Sequence, residues 1–180
     1  MKSSLVRFYI RRKLSWQSVQ GAVDEIKKWE ERYLELAHKL SSHQLDVVIP
    51  VPEMMGVDKE MTQWSYNQLL AHNTIVNRAM TANVKRLMTG EQDEEFEGFD
   101  PKHDVLPGAE LSSDQDQLFA RSIADHLEVV KRFGHLKSAR TSEHPVFGVF
   151  DAHMWHGMFG GHLGVHYKQA EMIAYRAMGQ

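Results

Sequence analysis

The chain has 180 residues, enough to bury the core of a single domain spanning the whole length without staples. It contains no cysteine, which excludes disulfides, thiolate zinc sites, iron–sulfur clusters and a cysteine nucleophile, and leaves histidine and carboxylate as the side chains for any metal. A formal charge of −3, with both signs scattered, gives no electrostatic reason to expect a nucleic-acid partner.

The N-terminal stretch holds the one basic cluster, Lys2, Arg7, Arg11, Arg12 and Lys13. Its apolar run, Leu5 to Ile10, is short, is interrupted by Arg7 and lacks a small-residue cleavage site, so it does not read as a signal peptide. No segment approaches the roughly 18 uninterrupted apolar residues of a membrane span, and the expectation is a cytoplasmic protein.

Four long segments carry helical periodicity and none shows sustained β alternation, so the expected fold class is all-α. The first helix is expected from Trp16 to Leu40 with Ser15 as its N-cap, on an apolar seam of Trp16, Val19, Val23, Ile26, Tyr33, Ala37 and Leu40 that Glu30 interrupts. A carboxylate there is either a fourth metal ligand or general base, or the partner of Lys27 at the seam edge. The connection from Ser41 to Met61 contains Pro50, Pro52 and Gly56, and its β-prone run Val47 to Ile49 reads as extended loop.

The second helix is expected from Thr62 to Met88, ending at Gly90 as a left-handed C-terminal residue. His72 shares a stripe with Leu69, Val76 and Met80 and so points inward. Gly90 to Ser113 is acidic (Glu91, Asp93, Glu94, Glu95, Glu97) and rich in helix breakers. A loop of that length either acts or spans, and it is long enough for the second and third helices to run parallel.

The third helix is expected from Ser113 to Phe133, capped by Ser112 or Ser113 and carrying Leu118, Phe119, Ile123, Leu127 and Val130; His126 lies near Ile123 and Leu127 with the same two readings as Glu30. The turn His144-Pro145-Val146-Phe147-Gly148 leads to a fourth helix from Asp151 to Met178. Trp155, Phe159, His162, His166, Gln169 and Ile173 form one inward stripe on it, while His153 and His156 fall off that stripe. Gly157, Gly160, Gly161 and Gly164 each cost about 0.5–1 kcal/mol relative to alanine, which tight helix packing or a ligand approach would offset.

His162 and His166 stand at i and i+4, so both imidazoles occupy one face one turn apart, close enough to meet on one ion. With His72 they form a candidate three-histidine metal site, and three buried neutral imidazoles around one cation relieve three desolvation costs together. Such a set leaves a coordination position open, as in catalytic rather than structural zinc sites. Gln169, one turn beyond His166, either orients a ligand or faces solvent. Leu163 stands where a zinc peptidase motif needs its glutamate, which argues against that chemistry.

The run Leu69-Leu70-Ala71-His72-Asn73, the His144-Pro145-x-Phe147-Gly148 turn, and Trp155 followed by His162-x-x-x-His166-x-x-Gln169 resemble the DinB-like superfamily of metal-dependent bundle proteins. The resemblance runs in outline over nearly the whole chain. It implies a four-helix bundle of up-down-down-up connectivity with a long crossover between the second and third helices. It also implies a zinc or nickel ion on His72, His162 and His166, and a homodimer. Activities in that family include transfers and isomerisations that use bacillithiol, mycothiol or related small thiols. The chain departs from the family at Val165, where a further histidine often precedes the second member of the pair. Two functions are therefore expected to compete: a metal-dependent enzyme, S-transferase or hydrolase, acting on a small molecule with a low-molecular-weight thiol as co-substrate, and a non-catalytic metal-stabilised bundle acting through dimerisation or partner binding.

Overall fold

The computed structural model describes residues 2–91, 100 and 103–179. Asp93, Glu94, Glu95 and Glu97 of the acidic stretch lie outside the described residues. The chain is mostly helical, as an all-α class requires, with α1 (Lys2–Trp16), α2 (Val19–Ala37), α3 (Ser42–Asp46), α4 (Tyr66–Thr89), α5 (Gln115–Phe133) and α6 (Ala152–Met178). Two small antiparallel ladders join them: β1 (Ile49–Pro50) with β2 (Gln63–Trp64), and β3 (Ser142–His144) with β4 (Gly148–Phe150).

Helix ends follow side-chain capping. Ser18, not Ser15, caps α2: its extended backbone breaks the chain and its hydroxyl accepts from Gly21 N–H. Trp16 therefore ends a separate preceding helix and is 75% exposed instead of opening the seam. Ser65 and Gln68 form a reciprocal capping box that starts α4 four residues later than expected, because β2 occupies the residues before it. Gly90 takes the left-handed conformation, φ 86°, and donates to Arg86 O. Asp114 precedes α5 without making a side-chain cap, and Ser112 hydrogen-bonds to it, so neither Ser112 nor Ser113 caps that helix. Asp151 caps α6 through Met154 N–H.

Ile49 and Pro50 are strand, not loop, registered against Trp64 and Gln63; the pairing partner is remote in sequence, so local propensity could not reveal it. The His144–Gly148 turn is likewise the tip of a hairpin, with Ser142 opposite Phe150 and His144 opposite Gly148.

The core lies among α2, α4, α5 and α6. α6 packs on α2 and α4, and α5 packs on α4 and α2. Ile26, Tyr33, Leu69, Phe119, Ile123 and Phe159 are fully enclosed there. Gly160 lies against Glu25 and Ile26, and Gly164 against Trp29, so α2 and α6 advance together. Asn77 bonds Ser122 and Thr81 meets His126, so α4 and α5 also advance together. These close approaches explain Gly160 and Gly164: a Cβ on Gly164 would stand 3.0 Å from the Trp29 ring. Among the described residues no helix is long and apolar enough to cross a membrane.

Candidate metal centre

His72 comes from the middle of α4, and His162 and His166 from adjacent turns of α6. The helices bring one ring nitrogen from each to within 4.8 Å of the others. Ring centroids stand 5.3 Å apart for His72 and His162, 4.7 Å for His72 and His166, and 4.6 Å for the pair on α6. Trp64 of β2 packs beside His72 at 5.1 Å.

Two of the rings are oriented through their second nitrogen. His72 Nδ1 donates to the Val105 carbonyl at 2.8 Å, which leaves Nε2 unprotonated, buried and without a partner. His166 Nδ1 donates to Gln169 Oε1 at 3.0 Å, and Gln169 Nε2 in turn donates to the Met61 carbonyl at 2.8 Å. His162 Nδ1 is buried and unpaired. Gln169 is thus fully buried beside the site and faces no solvent. Hydrogen-bonded imidazoles that turn a free nitrogen toward a shared point are the usual support of metal-ligating histidines.

Burial keeps all three rings neutral. It lowers the pKa of His72 to about 3, helped by His166 and opposed by the Val105 hydrogen bond. Burial also pushes His162 well down, with His166, His72 and His144 adding to the effect. His166 is lowered by burial against the opposing influence of Gln169 and Asp58. Neutral nitrogens with no proton donor to satisfy them fit a cation, because sharing one removes the cost of the unpaired lone pairs.

The histidines open into a cavity of about 670 Å³ whose walls are mostly apolar, among them Ile10, Leu14, Val76, Met80, Met158 and Trp155. His144 also lines it. The Nδ1 of His144 accepts from the Val146 and Phe147 N–H groups, and burial lowers its pKa to about 4.

Other candidates lie elsewhere. Glu30 is half-buried on α2, where burial raises its pKa against the pull of Lys27, and it is not among the cavity-lining residues. His126 is fully buried but bonds Thr81 and His156, apart from the triad. His153 and His156, expected off the inward stripe, are buried as well, because α6 is enclosed on nearly every side in its first two turns. His38, His43, His103 and His135 are exposed.

Three contributors escaped the sequence reading: the Val105 and Met61 carbonyls and the Trp64 ring. Backbone acceptors leave no mark in a residue pattern. The crossover, expected to act or span, supplies the Val105 carbonyl to His72. Val165, at the position of departure from the DinB-like pattern, packs against Gly56, whose Cβ would collide with its Cγ1. No family model, curated protein or solved structure matches the chain.

Proposed function

We propose that this chain is a metal-dependent enzyme of the DinB-like type, an up-down-down-up helical bundle in which His72, His162 and His166 hold zinc or nickel. The parallel pairings of α2 with α6 and of α4 with α5 support that connectivity. The observation that carries the function is the coincidence of three neutral, inward-turned imidazoles with a large apolar cavity that starts at them. A site that only stapled α4 to α6 would have no use for the cavity.

When bound, the ion supplies a Lewis acid that brings the pKa of a ligated water or thiol toward neutrality. Val105 and Gln169 hold the rings of His72 and His166 in the tautomer that ligation requires. Gln169 is therefore a positioning residue, tied to Met61, and no role falls to Glu30. The cavity walls exclude water from an apolar substrate. The reaction classes that fit are transfer of a small thiol to an electrophile and hydrolysis.

The test is metal content on protein purified without a histidine tag, followed by a thiol screen against a chlorinated aromatic acceptor. About one zinc or nickel per chain is expected, lost in His72→Ala and His162→Ala with helicity retained. Less than one ion per several chains after gentle metal exposure overturns the reading. Unfolding on metal removal would favour the structural alternative instead.

A further inference from the structure

The cavity is longer than a metal centre needs. One wall follows a single face of α4 through His72, Val76, Ala79, Met80, Asn83 and Arg86, the spacing that keeps side chains on one side of a helix. At a rise of 1.5 Å per residue, the backbones of His72 and Arg86 are about 21 Å apart. The α6 wall runs the opposite way: His162 and His166 face His72, while Trp155 reaches the Asn83 end. Ser142 ties that end, accepting from Asn83 Nδ2 at 2.9 Å and from Trp155 Nε1 at 2.8 Å.

The two ends differ in chemistry. At the far end, Arg86 Nη2 donates to Asn83 Oδ1 at 2.7 Å, and Asn83 is itself held by Ser142. The guanidinium is thereby positioned, and among the described residues its other N–H groups make no hydrogen bond and have no carboxylate partner. Lys13 also lines the cavity but pairs with Glu25 at 3.7 Å. Glu143 is exposed at the same end and forms no ion pair among the described residues. An arginine held in place beside an apolar trough, with no carboxylate partner among the described residues, is a receptor for a planar anion.

We propose that the cavity binds an elongated apolar molecule bearing one carboxylate or similar anion, received by Arg86, with its opposite end at the three histidines. The identity of the histidine end as the reactive end rests on the metal-centre reading; the anchoring by Arg86 does not.

Binding of dodecanoate, dodecanamide and dodecyltrimethylammonium, each below its aggregation limit, to metal-free and zinc-loaded protein tests this by calorimetry. Dodecanoate is expected to bind the metal-free protein about tenfold or more tighter than either analogue. Arg86→Gln should remove that preference, Arg86→Lys should keep part of it, and Glu143→Gln should strengthen it. Equal binding of the three probes overturns the proposal, as does a preference unchanged in Arg86→Gln. A preference seen only with zinc present also overturns it, since the carboxylate would then sit on the ion. Failure of the metal reading appears separately, as absence of bound zinc with the dodecanoate preference retained.

Discussion

His126 Nε2 and His156 Nδ1 stand 3.0 Å apart in the interior, and this contact fixes the protons of both rings. His156 Nε2 faces the Val19 carbonyl at 3.2 Å, which only accepts, so His156 is protonated there and accepts at Nδ1. His126 then donates from Nε2, and its Nδ1 faces the Thr81 hydroxyl at 3.0 Å, whose single proton it shares with the Asn77 carbonyl at 2.7 Å. Thr81, His126, His156 and Val19 thus connect α4, α5, α6 and α2 through two neutral imidazoles.

That network makes the fold sensitive to acid. Burial lowers the pKa of both rings, for His126 well below the usual value. The unfolded chain therefore takes up protons near pH 6.5 that the folded chain refuses. Stability is full above that pH and falls as pH drops through it, by about 1.4 kcal/mol per pH unit for each such histidine. Urea midpoints of metal-free protein should be level from pH 7 to 8 and decline from about 6.5 to 5. His126→Gln should make the decline shallower without abolishing it, since burial also holds down His72, His144, His162 and His166; a wild-type midpoint that stays level down to pH 5 contradicts the account.

The glycines of α6 should separate into two classes. A Cβ at Gly161 meets nothing closer than Met158 Sδ at 3.8 Å, so Gly161→Ala should stabilise by about 0.5–1 kcal/mol. At Gly164 the Cβ presses on Trp29 at 3.0 Å, so Gly164→Ala should destabilise by about 1–3 kcal/mol. Thermal melts of the two variants check the contrast, and equal shifts would refute it.

Loss of the Gln169 side-chain amide should weaken metal binding without removing a ligand. Gln169→Leu strands His166 Nδ1 and the Met61 carbonyl, and the expected cost is about 10–100-fold in metal affinity. Competition against a chromophoric chelator measures it, with helicity as the control. Unchanged affinity would mean that the ring of His166 is held by packing alone.

Gly56 links the 51–61 connection to α6 behind the site. It adopts φ 77°, and its Cβ would run into Val165 Cγ1. Gly56→Ala should lower the melting temperature and weaken metal binding through the displaced Met61 carbonyl. Val165→Ala in the same chain should recover the steric part and leave the backbone strain, about 1–2 kcal/mol. No recovery in the double variant would show that the contact does not transmit the change.

Legibility in the sequence varied with the range of the interaction. The stripe on α6 carrying His162, His166 and Gln169 was readable because i, i+3 and i+4 positions share a face whatever surrounds the helix. Gly90 was readable because a left-handed terminus selects glycine. Ser15 is the cap expected and Ser18 the cap found, since either hydroxyl can cap and only the packing of α1 on α6 decides where the chain bends. The burial of His153 and His156, off the inward stripe, was not readable because a one-sided stripe presumes one exposed face, whereas the start of α6 is surrounded.

The residue pattern alone determined the helical class, the absence of any cysteine thiol in the chain and the placing of two imidazoles on one helix face, because these depend on composition and on a fixed backbone period. The tertiary structure decided how near His72 comes to that pair, which carbonyls set the tautomers, that His126 and His156 join each other, and that the cavity runs on to Arg86. Those depend on contacts between residues 30 or more apart, such as His72 with Val105 and His126 with His156, which only the packed helices bring together.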